Sequence, residues 1–93
     1  MFSLRSFTTG QDTYQLIIRT DSDYKGPIRL VAVGEDGRQE QPSIREAFLS
    51  GSDQRLQTQS AIIRDMELST QEPTRLTVRL ANRTKLALNA FPA

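Results

Sequence analysis

The sequence predicts an all-β protein, a single antiparallel β-sandwich of about seven strands occupying residues 1–93. Three observations carry that expectation. Apolar residues recur at every second position through most of the chain, the period of a strand with one buried face. Turn-forming residues break the pattern at roughly ten-residue intervals, the spacing of sandwiches and barrels. One run, 27-PIRLVAVG-34, is apolar on both faces (Ile28, Leu30 and Ala32 against Val31 and Val33), which suits a strand covered on both sides.

In chain order, 2-FSLRSF-7 is a weak strand and 12-DTYQLIIRT-20 a stronger one. Between the latter and 27–34 lies 20-TDSDYKGP-27, whose Asp21 and Asp23 invite comparison with a calcium loop. Such a loop needs oxygen ligands at positions 1, 3 and 5, glycine at 6 and glutamate at 12. Counting from Asp21, Gly26 falls at position 6, but Lys25 occupies position 5 and Ala32 position 12. A cation stands where a ligand is required, and the segment reads as an Asx-rich turn leading to Gly26-Pro27. A second turn centres on Asp36-Gly37.

The segment 43-SIREAFLSG-51 is ambiguous. Ser43 and Glu46 have the spacing of a capping box and Gly51 could end a short helix, whereas strand alternation is poor. A two-turn helix is marginal alone, and the surroundings are all β, so a strand over 43–50 is preferred and one short helix stays the alternative. Further on, 61-AIIRDMEL-68 alternates through Ile62, Met66 and Leu68, interrupted at Arg64. The last two strands are 74-TRLTVRL-80 and 85-KLALNAF-91. Joined as a hairpin by a three-residue loop, Ala81 to Arg83, they place Val78 opposite Leu86 and Arg79 opposite Lys85.

Composition narrows the chemistry. The chain has no cysteine and no histidine, which excludes a disulfide framework, a thiolate zinc site and a Ser-His-Asp triad. No GxSxG and no phosphate-binding loop occur, and 34-GEDG-37 is acidic where a phosphate cradle is neutral or basic. Asp21 and Asp23 lie in a polar surface loop with nothing visible to desolvate either, so they are not expected to act as a general acid–base pair. No catalytic residue, metal site or cofactor is therefore expected. No 18-residue apolar stretch and no leader-like start are visible, so a soluble cytoplasmic domain without membrane contact is expected.

The net charge of +1 hides an asymmetry. Residues 1–72 carry eight bases and eleven acids, whereas 73–93 carry Arg75, Arg79, Arg83 and Lys85 and no acid. On a strand, Arg75, Thr77 and Arg79 point the same way, with Arg83 and Lys85 near the tip. These four cations are the candidate partner-binding residues. They would dock an acidic protein or, as the alternative, track a nucleic acid or other polyanion; no stacking aromatic is interleaved with them.

The stretch from 27-PIRLVAVGEDG-37 to 62-IIRDMELSTQEPTRLTVRL-80 resembles immunoglobulin-like accessory modules attached to larger proteins, in its strand pattern and without a diagnostic motif. That resemblance implies a non-enzymatic protein-interaction or assembly module, acting on a protein partner or on the remainder of a larger chain.

Overall fold

The computed structural model describes residues 2–8, 12–81 and 87–93. Nine strands run through them: β1 (Phe2–Thr8), β2 (Thr13–Thr20), β3 (Tyr24–Val33), β4 (Gln39–Glu40), β5 (Ile44–Leu49), β6 (Thr58–Gln59), β7 (Ile62–Leu68), β8 (Thr74–Leu80) and β9 (Ala87–Pro92). No helix occurs among the described residues, and all pairings are antiparallel. Two strands more than expected appear because β4 and β6 are two residues long, too short to carry a readable period.

The strands form two sheets packed face to face. The front sheet has the order β1-β2-β8-β5. In the back sheet, β3 pairs with β7 along its first half, with β9 along its second half, and with β4 at its end, while β6 pairs with β7. This explains why β3 is apolar on both faces. Ile28, Leu30 and Ala32 face the core, and Val31, on the other face, is itself only 9% exposed. Between the sheets, Tyr14, Leu16, Ile18, Leu76, Val78 and Leu80 of the front sheet meet Ile28, Leu30, Ile63, Met66, Leu68 and Leu88 of the back. Burying each such side chain contributes about 1.5–3 kcal/mol, which makes this layer the main source of stability.

The margins are closed by single hydrogen bonds rather than ladders. The amide of Leu88 in β9 donates to Oγ of Ser6 in β1 at 3.4 Å. On the opposite margin, residues 54–59 leave β5 and join the back sheet. Leu56 donates to the Ala47 carbonyl at 2.8 Å, Ile44 to Ser60 at 2.9 Å, and Arg64 to Gln57 at 2.9 Å. These bonds occupy backbone groups that an open sheet edge would leave unpaired.

Segment 43–50 contains a strand, β5, and its odd alternation has a cause. Ile44 pairs with Leu80 and Glu46 with Arg79, so Arg45 is an extra residue that the partner strand does not match. This bulge brings Ile44 and Ala47, three residues apart, to the same buried face. Spacing of three is also a helical signal, which is why the sequence was ambiguous there. The short-helix alternative is overturned.

A second bulge corrects the reading of 61–68. Gly26 pairs with Met66 but Ile28 with Ile63, so Arg64 and Asp65 together oppose Pro27. Pro27 has no N–H to offer the ladder, and Asp65 takes a left-handed conformation, φ 56°. The phase flips there: Ile63, not Ile62, is the inward residue, with Met66 and Leu68 following. Beside it, Tyr24 packs edge-on against Phe2 at 5.2 Å and donates its hydroxyl to the Pro27 carbonyl at 2.7 Å. A Cβ on Gly26, φ 149°, would come within 3.1 Å of that hydroxyl, so only glycine lets the ring lie across it.

The expected terminal hairpin is also overturned. Both of its strands exist, but β8 pairs with β2 and β5 in the front sheet, whereas β9 pairs with β3 in the back. Val78 faces Tyr14 and Ala47, and Arg79 faces Thr13 and Glu46. The connection, 82–86, lies outside the described residues, and with it Asn82 and Arg83 of the expected three-residue loop. Alternation fixed the faces of both strands but contains nothing about which strand each one neighbours.

Candidate docking surface

The outer face of the front sheet is assembled in rows by the strand register. Inward residues of β2 and β8 (Tyr14, Leu16, Ile18; Leu76, Val78, Leu80) fix their neighbours Thr13, Gln15, Ile17 and Arg19, and Arg75, Thr77 and Arg79, on the outside. In one row Arg5 of β1 pairs with Ile17 of β2, which pairs with Arg75 of β8. The next row towards one end contains Ser3 opposite Arg19. Towards the other end come Gln15, Thr77 and Phe48, and then Thr13, Arg79 and Glu46.

The four candidate cations are thereby separated. Arg83 and Lys85 lie outside the described residues. Arg75 and Arg79 are both exposed on the outer face, in agreement with their alternation, but their surroundings differ. Arg79 Nη1 donates to Glu46 Oε2 at 3.2 Å, and the other carboxylate oxygen of Glu46 accepts from Arg55 Nη2 at 2.9 Å. The Arg55 guanidinium also lies over the Phe48 ring, 5.7 Å from its centre. Nearby, Arg45 Nη2 donates to Asp12 Oδ2 at 3.0 Å. At this end each of the three arginines has a carboxylate partner.

The other end is different. Arg5, Arg19 and Arg75 are exposed, and among the described residues none of the three has an acid within ion-pair distance. Strand spacing sets their Cα atoms within about 10 Å of one another, around half-buried Ile17. Each pair of charges at that separation repels by only about 0.4 kcal/mol in water, so the cluster costs little stability. Three forks of N–H donors therefore stand around an apolar floor with no carboxylate to engage. Sequence reasoning found Arg75 but missed Arg5 and Arg19. Their signal was present, since each alternates with inward residues, but placing them beside Arg75 requires the order β1-β2-β8.

Other features are less open to a ligand. A groove of about 570 Å³ along the 54–59 segment is lined by Arg45, Arg55 and Arg64 among others. Each of these is already engaged, Arg45 by Asp12, Arg55 by Glu46 and Arg64 by Gln59. In the loop after β2, Asp23 Oδ1 accepts the Thr70 amide at 2.9 Å, which spends one of its oxygens on tying two turns together. Among the described residues no group of three or more acids is placed to hold a metal ion, and no charged side chain is buried. No helix among them is long and apolar enough to cross a membrane.

Compared with protein-family models, with curated proteins and with solved structures, the chain matches none.

Proposed function

We propose that this chain is a non-enzymatic interaction module, an immunoglobulin-like accessory β-sandwich acting in the cytoplasm, that docks a protein partner on the outer face of its front sheet. The observation that carries the reading is the set of arginines, Arg5, Arg19 and Arg75, gathered around Ile17 and without an acid partner among the described residues. A sheet face with an apolar centre and arginine rim has the composition of a protein-docking patch, in which arginine is enriched and lysine depleted. The runner-up is a nucleic-acid or polyanion surface. It is less favoured because the free basic region ends where Arg79, Arg55 and Arg45 are held by Glu46 and Asp12, and a long phosphate track would run onto those two carboxylates.

The test is affinity capture from an extract of the source cells with the wild-type chain and an R19E/R75E variant. Docking predicts a protein that survives nuclease treatment of the extract and is lost with the variant, whose thermal unfolding is unchanged. Capture that disappears on nuclease treatment would favour the polyanion reading.

A further inference from the structure

Resting on the docking reading above, we infer that the partner segment is an extended acidic peptide, whose carboxylates engage Arg5, Arg19 and Arg75 while an apolar side chain sits on Ile17. The geometry sets each part of that description. Arg5 and Arg75 flank Ile17 on the two neighbouring strands, and Arg19 lies two residues along β2 from it. Residues two apart in an extended chain are separated by about 7 Å and point the same way, the same interval that separates Ile17 from Arg19. A strand-like peptide therefore places one side chain over Ile17 and its next same-face side chain over Arg19.

The chemistry of the three cations selects the acid. Guanidinium presents a planar fork that matches a carboxylate with two parallel hydrogen bonds, and here none of the three forks has an acid partner among the described residues. A purely electrostatic track would not need Ile17, a half-buried apolar residue at the centre of the cluster. The adjoining rows supply polar groups, with Thr77 Oγ1 donating to Gln15 Oε1 at 3.1 Å, and Ser50 within 3.5 Å of both. They form a neutral boundary between the cluster and the Arg79–Glu46–Arg55 network. The acidic segment is thus short, about the width of two rows of the sheet.

The probe is a synthetic ten-residue peptide of aspartate and glutamate around one central valine. Its control carries asparagine and glutamine in place of the acids. Titrated into the labelled wild-type chain, the acidic peptide should move the amide resonances of Ser3 to Arg5, Ile17 to Arg19 and Arg75, and the neutral control should not. R5Q, R19Q and R75Q should each weaken binding about threefold, and the triple variant about twentyfold or more. R38Q should leave binding unchanged, because Arg38 sits in the β3–β4 turn against Asp36 at 3.3 Å. If the triple variant does not fold, the single variants decide.

Equal binding by the neutral peptide, unaltered affinity in R75Q and R19Q, or shifts confined to the back sheet would each overturn the inference. No binding of the acidic peptide, together with a captured protein that is lost with R19E/R75E, would leave the docking reading standing and remove only the acidic partner. Oligonucleotide binding tighter than that of the peptide and dependent on the same arginines would remove both.

Discussion

Arg79 of β8 faces Glu46 of β5 across the ladder and closes an ion pair of 3.2 Å, while Arg75, four residues earlier on the same face, has no acid partner among the described residues. Two arginines that the sequence presents as equivalent are thus given different roles by the strand that lies beside each. Glu46 holds Arg55 as well, so one carboxylate is shared by two cations.

Replacing that carboxylate should expose the difference. E46Q releases Arg79 and Arg55, and because the pairs are partly exposed it should lower unfolding free energy by only about 0.5–1 kcal/mol in a urea titration. The same variant should bind the acidic peptide more tightly, since two further cations join the face. A large loss of stability with no gain in binding would contradict this division of the surface.

The bulge opposite Pro27 makes a prediction about backbone strain. Asp65 sits at φ 56°, a region that costs most residues about 1–2 kcal/mol and glycine nothing. D65G should therefore be neutral or slightly stabilising, and D65V should destabilise by about 2 kcal/mol. The accompanying change of phase is tested by neighbours. I63A should cost about 3 kcal/mol as a core truncation, and I62A, half-buried on the outer face, about 1 kcal/mol. Reversed magnitudes would mean that β7 is paired in the other register.

The faces of β2, β3 and β8 were legible from alternation alone, and each buries the residues that its pattern implies. Legibility failed where a bulge shifts the phase, at Arg45 and at Arg64–Asp65, because one unmatched residue turns a period of two into a spacing of three. It failed again for strand order, since nothing in 74–91 distinguishes a hairpin partner from a strand of the opposite sheet. The candidate surface inherited both outcomes. Arg75 and Arg79 were correctly placed on the outside, yet the association of Arg75 with Arg5 and Arg19 spans 70 residues of chain and is visible only once β2 is known to lie between β1 and β8.

Closure of the margin beside β5 is checked by hydrogen exchange. The Leu56 amide belongs to no regular strand but donates to the Ala47 carbonyl at 2.8 Å, so it should exchange as slowly as the amides of β5. Exchange as fast as in the Gly51–Asp53 turn would show that the margin is open.

Millimolar calcium should leave the melting temperature unchanged. Asp23 already accepts the Thr70 amide, and Lys25 pairs with Glu67 at 3.7 Å instead of giving way to a ligand. A rise in melting temperature that D21A or D23A abolishes would establish a calcium site in this loop.

The central claim, that the unpaired arginines serve a protein rather than a nucleic acid, is tested most directly by titrating a mixed-sequence single-stranded oligonucleotide over a series of salt concentrations. Each phosphate engaged contributes about 0.7 to the slope of log affinity against log salt. The account predicts binding no tighter than about 100 μM at physiological salt, the weak end of non-specific association, and unaffected by R5Q, R19Q and R75Q together. Micromolar binding with a slope that falls by about two units in the triple variant would contradict it.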